Sequence, residues 1–199
     1  MSQYIVLDLE WNQSSRGKEG SVNCLPFEII EIGAVKLNEN FRTVSEFHRL
    51  IRPRVYRQMH FKISEVTHMS MEELEHEGLK FEDAVEEFID WCGDDYVLCT
   101  WGNMDLTELQ RNMVYHGLEI PFPFPLFYYD VQKIYSLLHS AGQPKASWTG
   151  LWRTWDVWTV APINARWTAP TTPAARWASW TCGGRSAPLS CTITGHPDT

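Results

Sequence analysis

Acidic side chains occur in a part of the sequence where core residues would be expected. Asp8 and Glu10 are two residues apart in the apolar run Tyr4–Trp11, which predicts a buried strand. Residues two apart on a strand point to the same face, so these carboxylates would repel each other and lose hydration. A cation would offset that repulsion, and hard oxygen ligands favour Mg²⁺ or Mn²⁺ over Zn²⁺. The simpler alternative is that both acids cap a strand end in solvent.

A third acid, Asp105, follows a second predicted strand. The segment Cys99–Asp105 passes from a buried strand through a glycine turn, which places Asp105 in the first turn of a helix. On its own, this acid would be explained by a favourable interaction with the helix dipole. Together with Asp8 and Glu10, it could form a site in which three carboxylates hold metal ions. Two ions about 3.5–4 Å apart could activate a water and stabilise the leaving oxygen of a phosphodiester.

The elements that must position these acids are predicted from hydrophobic periodicity and from helix-end signals. Strands are expected at Tyr4–Trp11, Phe27–Leu37, Glu46–Ile51, Tyr96–Thr100 and Phe127–Asp130, and helices at Ser70–Glu77, Phe81–Cys92, Met104–His116 and Val131–Ser140. Three leading strands followed by alternating helices and strands predict an α/β fold, with helices flanking a mixed sheet.

Three segments in this order resemble the first two motifs of the DEDD 3′–5′ exonuclease superfamily. They are YIVLDLEWN, FEIIEIGAVKL and TWGNMDLTELQRN, and the first is especially similar to the sporulation-inhibitor-like branch. The resemblance covers residues 1–147 and implies a ribonuclease H-like exonuclease fold. It also implies an enzyme that uses two Mg²⁺ or Mn²⁺ ions to hydrolyse single-stranded RNA or DNA from the 3′ end, releasing nucleoside monophosphates.

The same resemblance implies roles for individual residues. Asp8 would bridge both metal ions, Glu10 would hold the ion on the nucleophile side, and Asp105 would hold the other. Three residues are expected to contact substrate: Trp11 and Asn12, which would flank the terminal nucleotide, and Asn103. A fourth acid, Glu31, lies in the second segment and is expected to be structural.

The third motif of this superfamily is absent from the sequence. It requires a histidine or tyrosine as general base, followed four or five residues later by an aspartate that completes the metal site. After residue 147 the only acids are Asp156 and Asp198, and the only histidine is His196. Because His196 and Asp198 are two residues apart, they do not substitute for the motif. The chain is therefore expected to lack one metal ligand and the base.

Residues 148–199 differ in composition from residues 1–147. They contain no Glu and no Lys, but seven of the ten tryptophans, ten threonines and five prolines. Since Trp is always TGG and Thr always ACN, a Trp-Thr pair read one base earlier gives Leu, Met or Val followed by Asp. Such a shift places Asp at the position of Thr168. Five residues earlier, around Ile163, the shifted codon allows His or Tyr. We therefore hypothesise an out-of-frame translation here, the alternative being a genuine Trp-rich or disordered tail, and expect an irregular C-terminal part.

The overall composition excludes several classes of protein. With 44% hydrophobic residues, 21% charged residues and a net charge of −8, the chain fits one globular domain and not a basic nucleic-acid coat protein. No apolar run reaches the ~20 residues that span a bilayer, and the start of the sequence lacks a basic secretory leader. Five cysteines without a CxxC pair suit a reducing compartment. A cytoplasmic protein is expected.

The densest basic stretch alternates with aromatic residues. Its members are Arg49, Arg52, Arg54, Arg57 and Lys62, interleaved with Tyr56, His60 and Phe61. They could guide a single strand by phosphate contacts and base stacking, and a solvated strand edge and loop explains them equally well. Three rivals to an exonuclease also stay open: a catalytically inactive binding or interaction module with the same fold, a ribonuclease H or transposase-type endonuclease, and a misfolded product.

Overall fold

One mixed sheet organises the computed structural model, which describes residues 3–123, 125–139 and, for the backbone alone, 191–192. Within these residues the strand order is β3-β2-β1-β4-β5-β6. The strands are β1 (Gln3–Asn12), β2 (Glu28–Leu37), β3 (Thr43–Leu50), β4 (Tyr96–Thr100), β5 (Phe127–Asp130) and β6 (Cys191–Thr192). The helices are α1 (Phe61–Thr67), α2 (Met71–Glu77), α3 (Phe81–Cys92), α4 (Met104–Tyr115) and α5 (Val131–His139). The predicted mixed sheet with flanking helices is confirmed.

Most of the elements agree with the sequence prediction. Strands β4 and β5 and helix α3 have the predicted bounds, and the other predicted elements differ only at their ends. Ser70 caps α2, as expected, because its hydroxyl accepts the backbone N–H of Glu73 at 3.1 Å. Helix α1 was not predicted, since it has neither a capping side chain nor an acid in its first turn. No helix in the described ranges is long and apolar enough to cross a membrane.

The predicted tail lies outside the described residues, apart from its short strand β6. Residues 191–192 pair antiparallel with β5, although an irregular structure was expected there. The proposed boundary between residues 147 and 148 also lies outside the described residues and stays a prediction.

The two faces of the sheet differ at the central strand β1. One face is apolar, and the other carries the acids. It pairs antiparallel with β2 and parallel with β4. Ile5, Leu7 and Leu9 point to the face that helices α3 and α4 cover, where Phe88 and Leu109 are also buried. Each fully buried side chain of this size contributes about 1.5–3 kcal/mol. This core therefore anchors β1 and leaves its acids on the opposite face.

Strand register arranges the acidic face into cross-strand rows. Two neighbouring rows are Asp8, Gly33 and His48, and Glu10, Glu31 and Leu50, taken from β1, β2 and β3 in turn. The register shifts immediately after Glu10, at a β-bulge. Such bulges bend a strand and redirect its side chains. Glu10 is therefore the last regularly paired residue on this face of β1.

Candidate active site

Asp8 and Glu10 lie on one face of β1, as their spacing predicts, and beyond the point where β4 ends. The parallel pairing of β1 with β4 stops at Val6 and Cys99. The backbone of residues 7–10 therefore continues past the last residue of β1 that is paired with β4. This is the kind of strand end at which α/β proteins place ligands.

Asp105 bonds to the backbone of β1 beyond the point where the pairing with β4 stops. Its Oδ1 accepts the backbone N–H of Leu9 at 3.0 Å, and the residue is only 6% exposed. Because Leu9 lies between Asp8 and Glu10, this bond fixes the third carboxyl group at the same strand end. The helix that carries it begins directly after the turn that follows β4. The structure thus brings the three predicted acids into one neighbourhood.

Burial raises the pKa of all three acids, and neighbouring carboxylates raise it further for Asp8 and Glu10. Burial is the largest cause for Asp8, whose pKa lies well above its usual value, followed by the charges of Asp105, Glu10 and Glu31. Burial, then the charges of Glu31 and Asp105, raise the pKa of Glu10 to about 7. Burial raises the pKa of Asp105 to about 6, although hydrogen bonds from Leu9 and from its own backbone oppose the rise. Acids perturbed in this way are frequent at functional sites.

Divalent metal ions fit this donor set in charge and in ligand type. All the donors are carboxylate oxygens, and a cation would offset the repulsion among them. Across residues 3–123 and 125–139, however, no group of three or more His, Cys, Asp or Glu side chains is arranged to hold an ion. The carboxylates would therefore have to change rotamer to coordinate an ion together. Gly33, which is paired with Asp8, has no side chain to obstruct that movement.

Two of the predicted substrate-binding residues, Trp11 and Asn103, are partly or fully exposed. Trp11 is partly buried, and its ring lies 5.8 Å from that of Phe27, measured between centroids. Asn103 is exposed directly before α4, and its side chain makes no capping hydrogen bond. Both residues are close in sequence to the acidic strand end. Their contact with substrate stays a prediction.

The side chain of Asn12 holds a neighbouring loop. Its side chain is fully buried, and its Nδ2 donates to the carbonyl oxygens of Tyr56 and Gln58, both at 3.0 Å. Its Oδ1 accepts the backbone N–H of His60 at 3.0 Å. The amide is thus occupied by the segment between β3 and α1, here named the β3–α1 loop (residues 51–60). That the side chain or backbone of Asn12 flanks the terminal nucleotide stays a prediction.

A second buried residue, Glu28, holds the same loop. Its carboxylate accepts the backbone N–H groups of Arg54 at 2.6 Å, Val55 at 3.0 Å and Tyr56 at 2.7 Å, and the residue is only 2% exposed. The Tyr56 hydroxyl in turn donates to the carbonyl of Leu25 at 2.6 Å. The sequence carries no signal for this role, because the loop is about 26 residues further along the chain.

The basic stretch is divided between structural and exposed residues. Arg49 forms an ion pair with Glu87 of α3 at 2.6 Å, and Arg54 forms one with Glu82 at 2.5 Å. Arg52 donates to the carbonyl of Gly78 at 3.0 Å. These contacts favour the structural interpretation for the three arginines. Arg57 and Lys62 are exposed and remain candidates for phosphate contacts.

Sequence reasoning also missed a close contact between Glu31 and His48 beside the acids. The carboxylate Oε1 of Glu31 lies 2.6 Å from Nε2 of His48. Glu31 is directly opposite Glu10 in the strand register, and His48 is in the same row as Asp8. Only the register, which the sequence alone does not provide, reveals that His48 belongs to this neighbourhood.

Comparison with known proteins shows which family this chain belongs to. A family model described as Exonuclease (RNase T) matches residues 5–145. The chain belongs to the exonuclease family. Membership of this family implies the use of divalent metal ions in general. The chain is also 29% identical, over 121 residues, to "Probable 3'-5' exonuclease KapD" of Bacillus subtilis (strain 168). That match covers 60% of this chain and 56% of the relative, so the chain spans about half of the relative's length.

Two solved structures are similar in fold. A full-length 3′-exonuclease matches with a TM-score of 0.71 and 17% identity, over 91% of this chain and 80% of that one. The nuclease domain of 3′hExo, a DEDDh family member bound to rAMP, matches with a TM-score of 0.56 and 21% identity. This match covers 68% of this chain and 70% of that one. The predicted ribonuclease H-like exonuclease fold is thus confirmed.

Proposed function

We propose that this chain is a metal-dependent 3′–5′ exonuclease that hydrolyses phosphodiester bonds at the 3′ end of single-stranded nucleic acid and releases nucleoside monophosphates. The observation that carries the proposal is the bond from the Leu9 N–H to Asp105, which assembles acids from two strand ends. The matching family model and the name of the Bacillus relative support the reaction class.

In this proposal Asp8, Glu10 and Asp105 would hold two Mg²⁺ or Mn²⁺ ions. When bound, the ions supply an activated water and charge stabilisation at the leaving oxygen. The chain contributes position and environment. The Leu9 N–H fixes one oxygen of Asp105 at the end of β1. Burial lowers the local dielectric constant, which strengthens the attraction between these carboxylates and a cation.

The end of the β3–α1 loop is the proposed path of the nucleic acid strand. Phe61 is 68% exposed, and its ring stacks on that of His60 at 4.9 Å between centroids. An exposed aromatic ring supported in this way offers a surface on which a base could stack. Arg57 and Lys62, on either side of this pair in the sequence, could contact phosphates. The structural neighbour 3′hExo is bound to rAMP, which supports a nucleic acid substrate and not a particular path.

The proposal is tested with single-stranded RNA and DNA oligonucleotides labelled at the 5′ end. With Mg²⁺ or Mn²⁺ we expect a ladder of products shortened one nucleotide at a time, which disappears with EDTA or with Asp8→Asn. Glu46→Gln, which neutralises an exposed acid of β3, is the matched control and should leave the ladder unchanged. Internal cuts in a strand whose 3′ end is blocked would instead indicate an endonuclease.

A catalytically inactive module with the same fold is the second candidate function. The observation that favours it is the composition of residues 148–199, which contain no His or Tyr followed four or five residues later by Asp. Binding of the labelled strand without shortening, at every metal concentration, would support this candidate. The nucleotide sequence of codons 140–170 tests the underlying hypothesis. An out-of-frame tail requires a neighbouring frame that restores the missing motif.

A further inference from the structure

Two loops that follow the acidic end of β1 are joined to each other by side-chain hydrogen bonds. They are the β3–α1 loop and the segment between β1 and β2, here named the β1–β2 loop (residues 13–27). The Tyr56 hydroxyl donates to the carbonyl of Leu25 at 2.6 Å. The Ser15 hydroxyl donates to Oε1 of Gln58 at 3.2 Å. The residues next to Ser15 and Gln58 are therefore held near each other.

An arginine lies beside this contact on each loop. Arg16 follows Ser15, and Arg57 precedes Gln58. Because successive Cα atoms are only about 3.8 Å apart, the two arginines extend from adjoining parts of one surface. Both are exposed. A single strand bound on this surface can therefore pass both guanidinium groups.

The charges of Arg16 and Arg57 are not neutralised by any carboxylate in the described part of the chain, where no Asp or Glu oxygen lies within 4.0 Å of them. Three other arginines each form an ion pair with a glutamate. Arg57 Nε donates to a neutral group, the carbonyl of Arg54, at 3.5 Å. Neighbouring like charges repel each other, and a bound anion would offset that repulsion. The pair is thus suited to an anionic ligand, although the net charge of the chain is −8.

The turn that carries Arg16 is ordered without a ligand. The Ser14 hydroxyl accepts the backbone N–H of Arg16 at 3.2 Å, and the Ser14 carbonyl accepts the N–H of Gly17 at 3.0 Å. Gly17 has a φ of +65°, a conformation that favours glycine. Ser14 is only 7% exposed, and an added Cβ at Gly20 would collide with its hydroxyl oxygen. Binding therefore has little backbone left to order around Arg16.

This pair of arginines lies on the side of the molecule where β1 ends in its acids. Arg16 is six residues after Glu10, so at most about 20 Å of extended chain separates them. Asn12 donates to the carbonyl of Gln58 at 3.0 Å, which fixes the loop of Arg57 to the same strand end. Because a nucleic acid strand carries a phosphate at every nucleotide, phosphates upstream of a 3′ end at the acids can meet the pair.

We propose that Arg16 and Arg57 form a phosphate-binding site for the strand upstream of its 3′ end, which selects oligonucleotides of several nucleotides by charge and not by base or sugar. The inference rests on the proposed function, because it takes the acids as the place of the 3′ end. Arginine suits this role because its planar guanidinium group can bind two phosphate oxygens at once. Phosphate contacts carry no base information. RNA and DNA strands of one length should therefore depend on the two arginines equally.

The test is binding of a fluorescent single strand of about 12 nucleotides, as RNA and as DNA, to the full chain in EDTA, followed by anisotropy between about 50 and 200 mM salt. We expect Arg16→Gln and Arg57→Gln each to weaken binding about fivefold at the lowest salt. Each should also reduce the slope of log K against log salt by about 0.7, the value for one phosphate contact of a single strand.

Arg42→Gln is the matched control. Arg42 is an exposed arginine in the turn between β2 and β3, next to the start of β1 and so at the opposite end from the acids. It removes the same charge and should bind the strand as the unmodified chain does. Losses in Arg16→Gln and Arg57→Gln no larger than in this control, a loss confined to RNA or to DNA, or no binding by the unmodified chain would each overturn the inference.

A kinetic measurement separates this inference from the proposed function. With Mn²⁺, Arg16→Gln and Arg57→Gln should raise KM for the same strand more than they lower kcat, because contacts far from the scissile bond act before and during the chemical step alike. A fall in kcat at unchanged KM would contradict the binding role. If the unmodified chain shortens no strand while both variants lose affinity and salt dependence in EDTA, the proposed function fails and the phosphate site stands.

Discussion

The partly buried carboxyl group of Glu10 makes the stability of the metal-free protein depend on pH. Its pKa rises from 4.5 to about 7 on folding, which corresponds to about 3 kcal/mol at roughly 1.4 kcal/mol per tenfold change in the ionisation constant. The folded state binds this proton more tightly than the unfolded state does. The contribution of Glu10 to the free energy of unfolding therefore falls as pH rises from about 4.5 to about 7, and is constant above that range.

Glu10→Gln removes this dependence, because glutamine is neutral at every pH. In EDTA, the free energy of unfolding of the variant, relative to that of the unmodified chain, should be about 3 kcal/mol higher at pH 8 than at pH 4. This corresponds to roughly 10 °C in unfolding temperature. The measurement is urea or thermal unfolding followed by circular dichroism at both pH values. Glu46→Gln, at an exposed position of β3, serves as the matched control and should follow the unmodified chain.

Adding Mn²⁺ should reverse the order of stability at pH 8. The unmodified chain would then be stabilised by bound metal, whereas Glu10→Gln would respond weakly because it lacks a ligand. If the two proteins show parallel stability curves from pH 4 to pH 8 in EDTA, the reasoning about repulsion at this site is refuted.

Other perturbations test the remaining contacts. Mn²⁺ affinity, measured by calorimetry, should rise about 20-fold from pH 6 to pH 8, because the metal displaces protons from Glu10 and Asp105, whose pKa values are raised to about 7 and about 6. Asp105→Asn should keep the bond to Leu9 and the fold but bind Mn²⁺ weakly, whereas Asp105→Ala should also lose about 1–3 kcal/mol in urea unfolding. Asn12→Ala should lower the free energy of unfolding by about 2–4 kcal/mol, since it leaves three backbone groups of the β3–α1 loop, two of them buried, without their partner. Gly78→Ala should lower the unfolding temperature, because an added Cβ would lie 2.3 Å from a backbone oxygen and 2.6 Å from a backbone nitrogen.

Sequence reasoning succeeded where the signal is local. The spacing of Asp8 and Glu10 places them on one face of a strand whatever the rest of the fold is, and the apolar period of Phe81–Cys92 predicts α3 with its observed bounds. Asp105 required only a strand, a glycine turn and the start of a helix. These features depend on residues close together in the chain.

The features that were missed depend on pairing between distant segments. The position of Glu31 opposite Glu10 follows from a register that no single strand specifies. Asn12 bonds to groups 44 to 48 residues further along the chain, so its role in holding the loop has no local signal. The basic stretch was ambiguous for the same reason, because the acids of α3 that neutralise Arg49 and Arg54 are about 30–40 residues away.

The hydrogen bonds that hold the β3–α1 loop affect the rate at which a substrate could bind. Glu28 and Asn12 tie its backbone at several points without any ligand, so little conformational entropy is left to lose on association. Capture of a strand should then proceed without a slow ordering step, and its rate should be set by diffusion and by ionic strength. Loosening the loop at Asn12 would make the arrival of the strand slower, even with every carboxylate at the strand end intact.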